Sequence, residues 1–211
     1  QYITIMKLQL FSIAILLSSI FYSCKKETPN FTIKGTITDN GFSIGLNEAK
    51  IDLYEVEIGT TSPKLISSTN SDNNGSYNFN FQRNKIEKYI IKISKINYFD
   101  IEDEIQFSSL ATNEENIKNY SIDSKSWVKL HFTNSDNDLS KSIEYGISEG
   151  KTDCNECCPA SKRTISQIID TNIFCINNGN SIYSILTITD TIQTFSINTI
   201  PFDTVEINIP F

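Results

Sequence analysis

Cys154, Cys157, Cys158 and Cys175 are the side chains of this sequence best equipped for chemistry. Outside the reducing cytoplasm an even set of thiols pairs into disulfides. Three complete pairings exist, and one that joins the neighbours Cys157 and Cys158 is the least favourable because it closes a strained ring. A bridge from the 154–158 stretch to Cys175 would close about 17 to 21 residues and stabilise the fold by roughly 3 kcal/mol in the loop-entropy picture. Its role would be to pin a long polar loop, 150–163, onto the strand near Ile173. Two other chemistries compete. The spacing Cys154-x-x-Cys157 suits a zinc tetrathiolate, although no second pair of matching spacing follows and an oxidising compartment disfavours thiolates. Free or redox-active thiols are the third reading.

His131 is the single histidine, so a Ser-His-Asp or Cys-His arrangement would have to use it. It alternates with Trp127 and Lys129 on the polar side of an expected strand, which reads as surface. Carboxylates are plentiful, but no spacing marks a pair for glycoside hydrolysis, and no catalytic residue is assigned. The acidic turns Asp72-Asn73-Asn74-Gly75 and Asp136-Asn137-Asp138 offer oxygen ligands for calcium. Neither completes an EF-hand, which needs Gly at the sixth position and Glu at the twelfth. Ordinary turn chemistry explains both, and no metal or cofactor is expected. Trp127 and Tyr183 are candidate aromatics for stacking on sugars.

The elements that must position these residues are strands. Phe31, Ile33, Gly35 and Ile37 alternate with Thr32, Lys34, Thr36 and Thr38, the period of a half-buried strand. Ala49, Ile51 and Leu53 repeat the pattern, as do Tyr77, Phe79 and Phe81, and then Tyr89, Ile91 and Ile93. Asp39-Asn40-Gly41 and Ser71-Asp72-Asn73-Asn74-Gly75 separate them with residues that tolerate positive φ. Late strands are expected over 101–107 and 117–122. From residue 124 onward, candidates cover 127–133, 143–148, 165–169, 182–188, 192–197 and 205–211. Pro210 fits only a strand end or an edge. The fold expected is all-β, two tandem antiparallel β-sandwiches over 30–123 and 124–211, the second Ig-like in a loose sense.

The first half resembles a carboxypeptidase regulatory-like domain. The residues that carry the likeness are Gly35-x-Ile37-x-Asp39, Asn47-x-Ala49-x-Ile51-x-Leu53, Thr69 with Asp72-x-x-Gly75-x-Tyr77, and Tyr89-x-Ile91-x-Ile93. The resemblance covers about residues 31 to 100 and implies a transthyretin-like sandwich without chemistry of its own. Asn97-Tyr98 stands where the family often has Gly-Tyr; asparagine is the next most comfortable residue at positive φ.

The stretch from Met6 to Glu27 resembles a bacterial lipoprotein signal peptide, with Met6 as the expected start. Lys7 precedes an apolar run, 8–22, that as a helix reaches roughly 20 Å, short of a hydrocarbon core of about 30 Å. Ser23-Cys24 follows like the end of a lipobox, which implies cleavage after residue 23, lipidation of Cys24 and a tether over 24–29. Lys25-Lys26-Glu27 is similar to the charged start of some Gram-negative outer-membrane lipoproteins. Attachment to the membrane through this lipid is therefore expected. The net charge of −7 makes nucleic acid a poor partner. The sequence points to a non-catalytic binding or adhesion lipoprotein of the envelope, with a glycan or an envelope protein as partner. A periplasm-facing accessory subunit of an outer-membrane complex is the alternative.

Overall fold

The computed structural model describes residues 29–112 and 114–211. The leader and the lipidation candidate Cys24 lie outside the described residues. The rest is built from β-strands and a single 3₁₀ turn, Phe107–Ser109.

Two sheets make the first sandwich. One is centred on β1 (Asn30–Asp39), flanked by β2 (Ile44–Gly45) and β5 (Ser76–Gln82), with β8 (Glu115–Ile117) and β9 (Tyr120–Ile122) also paired to β1. The other runs in the order β4 (Lys64–Asn70), β3 (Lys50–Glu57), β6 (Ile86–Ser94), β7 (Ile101–Gln106). Alternation selects the core between them: Phe31, Ile33, Ile37, Ile51, Leu53, Phe79, Tyr89, Ile91 and Ile93 are all buried. The polar residues between them on each strand face outward, as the two-residue period of a pleated strand requires.

The second sandwich packs a sheet of order β13 (Asp170–Asn178), β10 (Lys125–Thr133), β16 (Thr204–Pro210) against a second of order β12 (Arg163–Ser166), β11 (Ser142–Glu149), β14 (Ile182–Ile188), β15 (Ile192–Asn198). Val128, Leu130, Phe132, Ile143, Tyr183, Ile185 and Ile209 fill the space between. Pro210 ends β16, an outer strand, where its missing N–H costs no ladder bond.

Three details differ from the sequence expectation. The pairing is antiparallel except that β8 and β9 run parallel to β1, and β16 parallel to β10. The single strand expected over 117–122 is split in two. A Cβ on Gly35 would lie 1.7 Å from the Lys118 carbonyl oxygen, so the chain crosses β1 there only because residue 35 has no side chain. The strand expected over 165–169 begins at Arg163 and stops at Ser166, because Gln167 turns into the left-handed region at φ 59°. The strand near Ile173, to which alternation gives no bounds, is the nine-residue β13, which pairs with β10 along its full length.

The sandwiches meet at a short connection, residues 123–125. The Phe99 N–H donates to the Asp123 carbonyl (3.0 Å) and the Lys125 N–H to the Asn97 carbonyl (2.7 Å). Asn97 adopts φ 64°, which aims the next residue into the junction. There the Tyr98 hydroxyl donates to Asp39 Oδ2 at 2.7 Å, and the Phe42 N–H donates to Asp39 Oδ1 at 3.0 Å. Asp39 is 1% exposed. The other face of the Tyr98 ring meets Phe202 of the second sandwich, centroids 5.3 Å apart. Burial, and then the bond to Asp39, push the Tyr98 hydroxyl well above the usual phenol range. Tyr98→Phe keeps the ring but leaves a buried oxygen short of a donor. We expect a loss of about 1–3 kcal/mol in urea unfolding, with strand content unchanged by circular dichroism.

Candidate binding face

β10 carries the residues that matter most on its outward side. With Val128, Leu130 and Phe132 turned into the core, Trp127, Lys129 and His131 face outward. The register then fixes their neighbours. Trp127 lies between Ile176 and Thr204, Lys129 between Phe174 and Glu206, and His131 between Asn172 and Asn208. Phe174 is 63% exposed. One end of this flat face is thus aromatic and apolar, the other amide, imidazole and carboxyl. Such a surface can stack against an apolar ring face while its polar end exchanges hydrogen bonds with hydroxyls.

The polar end is already organised. His131 Nε2 lies 3.0 Å from Asp170 Oδ2, while Nδ1 lies 3.1 Å from Asn208 Oδ1 and 3.2 Å from Glu206 Oε1. Lys129 Nζ is 3.2 Å from Glu206. No serine or cysteine is bonded to the ring, so the arrangement is a surface network rather than a nucleophile and its base.

The other candidates divide cleanly. The four described cysteines form two disulfides, Cys154–Cys157 and Cys158–Cys175. That pairing leaves no thiolates for the zinc alternative, and the second bridge fastens the 150–163 loop to β13. Tyr183 is fully buried and therefore not a sugar platform, because the phase of β14 sends it inward with Ile185. In the first acidic turn Asp72 Oδ1 accepts the N–H groups of Asn74 and Ser76, both at 2.8 Å. In the second, Asp138 Oδ1 accepts the Ser140 N–H (2.9 Å) and hydroxyl (2.7 Å), and Lys141 pairs with Asp136. Each of these three carboxylates commits one oxygen to a local donor. Among the described residues no cluster of three or more His, Cys, Asp or Glu is placed to hold a metal ion. No helix there is long and apolar enough to cross a membrane.

A groove of about 800 Å³ opens on the first sandwich, lined in part by Lys34, Thr36, Asp72, Tyr77 and Asn119. Its polar groups are largely bonded to each other. The Thr36 N–H donates to Asn119 Oδ1 (2.9 Å) and the Tyr77 hydroxyl to the Lys118 carbonyl (2.8 Å).

No protein-family model matches the chain, and no characterised protein matches it in sequence. Among solved structures it is similar to the Bacillus anthracis TIE protein, at 13% identity and TM-score 0.40, covering 87% of this chain and 34% of that one. It is similar to a streptococcal ancillary pilin at 11% identity and TM-score 0.41, covering 88% and 64%. The minor pilin GBS52 of Streptococcus agalactiae is similar at 10% identity and TM-score 0.39, covering 85% and 94%. This chain thus spans about a third of the first and under two thirds of the second. Likeness at this level says nothing of function.

The hydrogen bonds to Asp170 and Asn208 raise the affinity of His131 for its proton above the ordinary 6.5. Glu206 faces the same ring, while Lys129 opposes the shift. A raised folded value means that protonation favours the fold. The contribution is complete below about pH 6.5 and fades as pH rises through the folded value. We expect an NMR midpoint for His131 above 6.5 that drops in Asp170→Asn.

Proposed function

We propose that the chain is a membrane-tethered, non-catalytic binding module of the cell envelope that presents the outer face of β13, β10 and β16 to a glycan. The observation that carries this reading is the outward face of β10 and β13, where exposed Phe174 stands beside half-buried Trp127 and His131, on the sandwich that follows the first in the chain. β1 begins at Asn30, six residues after Cys24, and reaches the junction only at Asp39, about 30 Å further along an extended strand. The first sandwich then acts as a spacer, which is what its resemblance to a carboxypeptidase regulatory-like module implies. The paired cysteines favour an oxidising compartment, in keeping with export by the leader and lipidation at Cys24.

A second reading, an accessory subunit docked on an envelope protein, is favoured by apolar side chains exposed around the junction. Ile96 is 84% exposed, Ile44 60% and Ile200 52%, more than solvent-facing loops need.

Two measurements test the proposal. In cells grown with labelled palmitate, the chain should carry label and sediment with membranes, whereas Cys24→Ser should lose both. On a glycan array the soluble fragment from residue 29 should bind, and Trp127→Ala with Phe174→Ala should weaken binding by about tenfold or more, the scale of two lost stacking contacts. Absence of glycan binding, with co-purification of an envelope protein that Ile96→Asp abolishes, would move the assignment to the second reading.

A further inference from the structure

The two disulfides differ in surroundings. Cys158 is half-exposed, but its partner Cys175 is 1% exposed in the core of the second sandwich. Cys154 and Cys157 sit half-exposed at the tip of the loop, among exposed Asp153, Asn155 and Glu156. The short bridge holds a turn in which the Cys157 N–H donates to the Cys154 carbonyl at 3.1 Å.

That turn reaches the junction. Glu156, between the two cysteines in sequence, takes the Lys125 ammonium at 2.8 and 3.1 Å. The Lys125 side chain is 16% exposed and belongs to the connection between the sandwiches. Its Nζ also lies 5.4 Å from the centre of the Phe99 ring, and Lys151 Nζ lies 5.0 Å from the same ring. Phe99 belongs to the first sandwich, so two cations of the second sandwich embrace it while the bridged loop holds one of them.

From this placement we infer that Cys154–Cys157 is a thiol–disulfide exchange site for an exported dithiol reductant, and that its opening loosens the junction. A thiolate of the dithiol attacks the exposed sulfur of Cys154 or Cys157. The S–S bond breaks, a mixed disulfide forms, and the released sulfur takes a proton from water. The reductant's second thiol then displaces the cysteine, leaving two thiols here and a disulfide on the reductant. Cys158–Cys175 resists because attack on the half-exposed Cys158 would expel the Cys175 thiolate into the apolar core, where its charge is unsolvated. Without the short bridge the turn is free to open, and Glu156 leaves Lys125.

The test is a graded titration of the intact chain with a soluble dithiol, trapping free thiols by alkylation and locating them by mass spectrometry. Cys154 and Cys157 should be alkylated while Cys158 and Cys175 remain bridged. At that point amide exchange at residues 97–99 and 124–126 should rise about two- to fivefold, the scale of losing one partly buried ion pair. Glu156→Gln, with both bridges intact, should produce the same rise. Simultaneous opening of both bridges would overturn the inference. So would unchanged exchange at the junction after the short bridge opens, or a Glu156→Gln protein whose junction stays protected while the reduced chain's does not.

Discussion

The arrangement of this molecule depends on one carboxyl group placed out of water. Asp39 ends β1 with 1% exposure, and a buried polar group is tolerated only when its hydrogen bonds are made. Its two oxygens are served by the Phe42 N–H and the Tyr98 hydroxyl. That need fixes the hairpin at 39–45 and the loop at 95–99. It also fixes Tyr98 as the surface on which Phe202 rests. Through the Lys125 N–H to Asn97 carbonyl bond, the start of β10 is tied to the same loop. The position of the outward face of β10 relative to the first sandwich follows from this chain of contacts.

The disulfides stabilise a different part. β13 is an edge strand, and its outer flank meets the loop 150–162 rather than another strand. Cys158–Cys175 anchors that loop across a separation of 17 residues, which restricts the unfolded chain and adds stability of about 3 kcal/mol in the loop-entropy picture. It also covers an edge that would otherwise invite pairing with another chain. The long bridge thus protects the sheet bearing the candidate face, while the short one shapes the turn that meets Lys125.

Much of the fold is legible because strict alternation is a local property. Phe31, Ile33 and Ile37, or Val128, Leu130 and Phe132, declare their strands and inward phase without help from the rest of the chain. The outward set Trp127, Lys129 and His131 follows from the same phase, so the central strand of the candidate face can be read from the sequence. Its flanks cannot. β13 reads Asp-Thr-Asn-Ile-Phe-Cys-Ile-Asn-Asn, in which asparagines signal turns and Phe174 points outward. A strand near Ile173 is expected, but its nine-residue length comes from pairing with β10. The break between β8 and β9 is hidden for a related reason, since it depends on Gly35 lying under Lys118, eighty-odd residues away in sequence. The disulfide pairing is likewise a tertiary fact; spacing disfavoured one of three pairings and left two.

The central proposal, taken with a glycan partner, is that a lipid holds the chain on the outer surface of the cell with the outer face of β13, β10 and β16 turned away from the membrane. Intact cells treated with a protease, with the chain followed by antibody beside a periplasmic control, test it most directly. The account predicts digestion of the second sandwich while the periplasmic control survives. Protection of the chain until the outer membrane is broken would contradict it.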